Sequence, residues 1–158
     1  MRHRETCQFQ FEQHGQQRRV QIPPAPPGCH IDYLLLTTKA QQAVAAVQQW
    51  RALFSPHSGL LLLHNGLGTL APLAALLGPQ QIILQATSSH GALRDGDLLI
   101  HSGQGQTIIG PGSGPLFDTA ARQQLLAALN AALPPASWQA PGPARATAVT
   151  GWLDAFQD

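Results

Sequence analysis

The fold is decided by residues 31–68, which open with IDYLLLTTKA (31–40), continue through an amphipathic segment and end with GLLLLHNGLG (59–68). Each apolar run finishes in polar groups: Thr37-Thr38-Lys39 after the first, His64-Asn65-Gly66 after the second. Near-continuous apolar runs suit parallel strands covered on both faces. Between them Ala43, Val47, Trp50 and Phe54 recur at three and four, one stripe of a helix over 40–54 that Ser55-Pro56 stops. Strand, helix, strand is the unit of a parallel sheet, whose ligands bind outside the carboxyl ends of the strands. An ammonium, an amide and a glycine turn at two such ends form a candidate ligand rim.

Outward from this stretch, CQFQFEQ (7–13) alternates with a period of two and RRVQIP (18–23) follows a turn at 14–17, which predicts a hairpin. Pro23, Pro24, Pro26, Pro27 and Gly28 form a stiff connector. After the second strand, 66–77 reads as a helix with Thr69 as N-cap and Pro72 in its first turn, closed by Gly78-Pro79. Strand 81–87 comes next. The alternation then stops: 90–93, 97–102 and 106–110 read as antiparallel strands joined by tight turns. Residues 110–115 read as a loop, and Asp118 caps a helix through about Leu133. A short last strand is expected at 136–139, a linker at PGPARA (141–146) and a short helix over 147–156. Together these predict an α/β fold: an incomplete Rossmann-like parallel sheet with helices on its faces and an antiparallel extension.

With 158 residues, one domain is the default, and a charged fraction of 11% leaves few proton-transfer groups. The net charge of +1 provides no field for nucleic acid or membrane. Cys7 and Cys29 show no zinc spacing and no CxxC, so they read as free thiols of a reducing, cytoplasmic compartment. No signal peptide and no apolar run of membrane-spanning length is present. The seven histidines, His3, His14, His30, His57, His64, His90 and His101, show no paired metal spacing and read as surface or turn residues. Ser88-Ser89-His90 is not a nucleophile–base pair, because strand neighbours point to opposite faces. The dinucleotide fingerprint GxGxxG is not found, and Gly103-Gln104-Gly105 lies between strands, the wrong context for it.

At LLLTTKA (34–40), LLLHNGLGT (61–69) and TSSHGALRDGDLLIHSGQGQTIIGP (87–111), the chain resembles the ketopantoate reductase (2-dehydropantoate 2-reductase) family over about residues 8–139. Those enzymes reduce ketopantoate to pantoate with NADPH on the route to pantothenate. The resemblance implies that Lys39, the sole lysine, lies beside cofactor and active site, and that Asn65 contacts the nicotinamide end. It also implies that Gly66 and Gly68 let backbone approach the ligand. Asn65-Gly66 is equally a common turn pair. An arginine on the 2′-phosphate is implied too, with Arg2 and Arg4 both open.

The match is to the central part of the family's N-terminal NADP-binding domain. Residues 1–140 are expected to form that partial domain without its first βαβ unit, and 141–158 the linker and short helix that begin a helical domain. The family's catalytic lysine follows a tryptophan closely; here Trp152 is followed by Leu153-Asp154-Ala155-Phe156, so no catalytic residue is assigned. The expectation is a truncated chain, inactive alone, whose substrate by resemblance is a small 2-oxo acid. The alternative expectation is a non-catalytic interaction module. Tyr33 to Leu36 would sit on a bare sheet edge, so that the chain self-associates, takes a complementing chain or covers the edge with its N-terminal hairpin.

Overall fold

The computed structural model describes residues 5–63, 68–115, 118–132 and 135–138. Two compact units are formed, one from residues 1–29 and 89–106, the other from 30–88 and 107–158.

The smaller unit is a four-stranded sheet. β1 (Cys7–Gln13) and β2 (Gln16–Ile22) pair antiparallel in full register, from Cys7 opposite Ile22 to Gln13 opposite Gln16. The two-residue turn has positive φ at both positions, 52° at His14 and 74° at Gly15, the combination whose twist matches a hairpin. Arg18 faces Phe11 across the hairpin and its guanidinium lies 5.3 Å from the ring centre. β6 (Gly91–Asp95) and β7 (Leu98–Gly103) form the second hairpin. β7 also pairs parallel with β1, giving the order β2-β1-β7-β6. One strand of the N-terminal hairpin, β1, thus pairs with β7.

The larger unit is a five-stranded sheet in the order β3-β4-β5-β8-β9. β3 (Ile31–Leu36), β4 (Phe54–Leu62) and β5 (Ile82–Ser88) are mutually parallel, β8 (Thr107–Ser113) runs antiparallel to β5, and β9 (Ala136–Trp138) runs parallel to β8. The α/β class with a parallel sheet and an antiparallel extension is thus present. Its helices are α1 (Ala43–Trp50), α2 (Leu70–Leu77) and α3 (Thr119–Ala132). Strand alternation divides the core. On one face Leu36, Leu60, Leu62 and Ile83 pack with Ala43 and Val47 of α1 and Leu73 of α2. On the other, Leu61, Leu84, Ala86 and Ile109 pack with Leu125 of α3. Each fully buried leucine or isoleucine contributes about 1.5–3 kcal/mol.

Three boundaries differ from expectation. The first helix ends at Trp50, a 3-10 turn carries the chain to Leu53, and Phe54 already pairs with Ile31. Ser55 and Pro56 are therefore inside β4, where the register jumps from Ile31–Phe54 to Tyr33–Gly59. The buried Ser58 holds this detour. Its hydroxyl donates to the Ile31 carbonyl and accepts the Ser55 N–H at 2.8 Å, while Gln81 donates its amide to the Ser58 carbonyl. Second, β8 continues to Ser113 through the stretch expected to be a loop, and it pairs with β5 rather than with its sequence neighbour β7. Third, Thr69 precedes α2 but makes no side-chain cap; its carbonyl accepts the Leu73 N–H at 3.2 Å. Asp118 does cap α3, its carboxylate accepting the Ala120 N–H at 2.8 Å. The expected helix over 147–156, the linker and Trp152 lie outside the described residues.

α3 and β9 are joined by Asn130, whose amide donates to the carbonyls of Leu126 and Ala136, both at 2.9 Å, and accepts the Ala136 N–H at 2.7 Å. Truncation leaves two carbonyls and an N–H without that partner. Asn130→Ala is expected to lower unfolding free energy by about 1–3 kcal/mol in urea titrations, with a shift below 0.5 kcal/mol contradicting this role.

Candidate functional site

The carboxyl ends of β3 and β4 lie side by side, tied by the Leu63 N–H donating to the Leu36 carbonyl at 3.0 Å. Beyond Leu36 the chain leaves the sheet through Thr37, Thr38 and Lys39. Lys39 is exposed and extended, with φ −63° and ψ 150°, and its carbonyl accepts the Gln42 N–H at 2.9 Å to open a 3-10 turn over Ala40–Gln42. The ammonium therefore stands at the point where β3 becomes helix. Beyond β4, Gly68 is exposed and left-handed, with φ 83°, immediately before the buried Thr69. The structure thus places Lys39 and Gly68 on segments leaving adjacent strand ends. Asn65, Gly66, Arg2 and Arg4 lie outside the described residues.

One polar group of this rim was not singled out from sequence. The Thr38 hydroxyl is buried and, among the described residues, has no hydrogen-bond partner. A buried hydroxyl without a partner costs about 1–3 kcal/mol, and a strand-end turn is where a bound ligand would satisfy it. A threonine beside a lysine carries no such signal in the sequence alone, because burial is set by the packed turn.

Other sequence candidates separate. Ser88 ends β5, where its hydroxyl accepts from the Thr107 hydroxyl at 3.3 Å, while Ser89 bonds Gln106 and His90 contacts His101. No serine–histidine nucleophile forms there. Cys7 and Cys29 are free thiols. Among the described residues no three of His, Cys, Asp and Glu converge as metal ligands, and no helix is long and apolar enough to cross a membrane. In the smaller unit an open cleft of about 300 Å³ is lined by Glu12, His14, His101 and Gln104 among others.

Comparison with known proteins gives the family of the chain. Residues 2–114 match the family described as ketopantoate reductase PanE/ApbA. The chain belongs to that family. The match takes in both strand ends of the rim, nearly all of the smaller unit and the larger one as far as residue 114. The 2-dehydropantoate 2-reductase of Escherichia coli O157:H7 is 41% identical over 80 residues, 51% of this chain and 25% of that protein. The Vibrio cholerae enzyme of the same name is 36% identical over 112 residues, 69% of this chain and 36% of the relative. The chain thus spans a quarter to about a third of the length of these curated relatives. Solved structures share the fold: a 2-dehydropantoate 2-reductase from Geobacter metallireducens superposes with a TM-score of 0.67 at 21% identity, covering 83% of this chain and 44% of that one. A D-mandelate dehydrogenase solved with NADH and anilino(oxo)acetate gives 0.69 at 20% identity, covering 83% and 43%.

Because the Thr38 hydroxyl is buried without a partner, Thr38→Val should leave the unliganded chain as stable or up to about 1 kcal/mol more stable in thermal or urea unfolding. A loss above 1 kcal/mol would show that the hydroxyl is satisfied in solution.

Proposed function

We propose that this chain carries part of the NADP site of a 2-dehydropantoate 2-reductase, the enzyme that reduces ketopantoate to pantoate in pantothenate biosynthesis. The observation that carries the reading is that the family match over residues 2–114 includes the carboxyl ends of two adjacent parallel strands, β3 and β4. That is where a sheet of this kind holds its ligand. The residues present fit a nicotinamide cofactor: the rim offers a cation at Lys39, a buried orphaned hydroxyl at Thr38 and left-handed backbone at Gly68.

When bound, the nicotinamide supplies the hydride for a ketone carbon. The chain's own contribution is binding and orientation. Lys39 places positive charge at the strand end, where it favours an anionic ligand or the carbonyl oxygen that gains charge during reduction. Gly68, left-handed beyond β4, is read with Gly66 as letting backbone approach the ligand, and the resemblance gives Asn65 the nicotinamide end. Arg2 or Arg4 would meet the 2′-phosphate. No side chain of this chain is assigned the proton to the alkoxide, so the polypeptide alone is expected to bind and not to turn over. The substrate is a small 2-oxo acid and the compartment the cytoplasm, where free thiols persist.

Isothermal titration of the chain with NADPH and NADH tests this. NADPH is expected to bind more tightly than NADH, and Lys39→Ala to weaken it about five- to thirty-fold, the ~1–2 kcal/mol of a charge-assisted contact at an exposed position. Absence of binding at millimolar NADPH would overturn the reading.

One observation favours a second reading. β3 is an edge of its sheet and carries Leu35, 45% exposed, on that edge. Long apolar edges recruit other strands, and a second copy of β3 would extend the sheet. Sedimentation equilibrium should then show a dimer that Leu35→Lys converts to monomer, whereas a concentration-independent monomer would remove this reading.

A further inference from the structure

In the smaller unit two histidines meet. His90 Nδ1 and His101 Nε2 are 3.1 Å apart, and the ring centres are 5.2 Å apart with planes tilted by 47°. The Gly105 N–H donates to the same His90 Nδ1 at 3.2 Å, and Gln13 Nε2 lies 3.1 Å from His101 Nδ1. We propose that this pair is a pH-sensitive clamp on the loop between β7 and β8, closed while His90 is neutral and released when His90 takes a proton.

The hydrogen-bond chain fixes both tautomers. A backbone N–H can only donate, so His90 Nδ1 is an acceptor and the ring's proton is on Nε2. His90 Nε2 is buried and, among the described residues, has no partner. His101 Nε2 must then be the donor towards His90, which leaves His101 Nδ1 to accept from the Gln13 amide. The two rings respond differently to a further proton. On His101 it would sit at Nδ1, where Gln13 can turn its amide oxygen to accept it, and the donation to His90 survives. On His90 it would sit at Nδ1, where the Gly105 N–H can no longer be accepted; His101 can move its own proton to Nδ1, onto the turned Gln13 oxygen, and accept from His90 through Nε2, so the contact that is lost is the one to Gly105. The releasing step is the one that charges His90.

The surroundings set the direction. Burial, and then the neighbouring His101, hold the His90 imidazole below its ordinary value. β1 brings Gln13 to the pair, and its Glu12 carboxylate accepts the Gln17 amide at 2.8 Å. The β1–β2 turn brings His14 to the cleft that His101 and Glu12 also line. β2 carries Arg18 and Arg19, engaged by the Phe11 ring and Gln8. β6 carries Arg94 and Asp95 at its far end, opposite Leu99 and Leu98. Residues 102–106 carry no ionisable group. A histidine depressed in the fold contributes stability that is complete above its unfolded value, about 6.5. That contribution is lost as pH falls through the folded value.

The clamp holds a loop that shapes the cleft, since Gly103 and Gln104 form part of its wall. Gly105 is pressed against the chain it clamps: a Cβ there would lie 2.3 Å from the Ser89 carbonyl carbon, so only glycine brings its N–H to His90. Two further anchors do not titrate. Ser89 N–H donates to the Gln106 carbonyl at 3.0 Å, and Gln106 N–H to the Ser89 hydroxyl at 2.9 Å. They are an internal reference for the clamp.

Amide exchange and ring-nitrogen shifts of the isotopically labelled full chain between pH 7.5 and 5 test the proposal. Gly105 protection is expected to fall at least about tenfold relative to Ser89 and Gln106, in step with His90 protonation. His90→Asn, which keeps an acceptor and cannot titrate, should hold that ratio constant. A constant ratio in the unaltered chain, or a proton on His90 Nδ1 at pH 7.5, would overturn it. Should His90→Asn not fold, the ring-nitrogen spectra of the unaltered chain decide alone.

Discussion

β4 lies between β3 and β5 with side chains packed on both faces. Leu60 and Leu62 meet α1 and α2, and Leu61 meets the face covered by α3. The side-chain period of a strand is two, so a slip by one residue would exchange the two faces. Here both faces are apolar, so alternation alone does not pin the register. The Ser58–Ile31 hydrogen bond and the Gln81 amide on the Ser58 carbonyl do so by locking the start of β4 against β3 and the entry to β5. With that start fixed, Leu34 stands beside Leu60 and Leu36 beside Leu62.

The site follows from this register. Because Leu36 and Leu62 are paired, β3 and β4 end at the same level of the sheet, with Thr38 and Lys39 on the segment that leaves β3 and Gly68 on the one that leaves β4. The buried, unpaired Thr38 hydroxyl fits a place where stability is given up for binding. A strand-end rim is generic to parallel sheets, and it is the family match over residues 2–114 that relates the chain to ketopantoate reductases.

Much of the fold is legible in local pattern. Alternation at Phe9 and Phe11 marks β1, the apolar runs at 31–36 and 60–62 mark the parallel pair, and Asp118 marks the start of α3. What was not legible depends on partners distant in sequence. Ser55-Pro56 reads as a helix stop, and only the pairing of Phe54 with Ile31 makes it a strand. β7 and β8 read as neighbours, yet β7 joins β1 and β8 joins β5, because each finds a free edge elsewhere. Asn130 looks like an ordinary helix residue until β9 folds back to it. His90 and His101, apart in sequence and without metal spacing, read as surface groups, and it takes the β6–β7 hairpin to bring them together. Of the rim, Lys39 and Gly68 were legible from motif, whereas the burial of Thr38 arises from packing.

The proposed function requires the carboxyl ends of β3 and β4 to form a nicotinamide-cofactor rim. Mapping amide chemical shifts of the labelled chain during addition of NADPH tests it most directly. The account predicts that the largest, saturable shifts fall on Thr38, Lys39, Gly68 and their neighbours, with the β6–β7 hairpin little changed. Saturable shifts confined to other parts of the chain, or none at all, would contradict it.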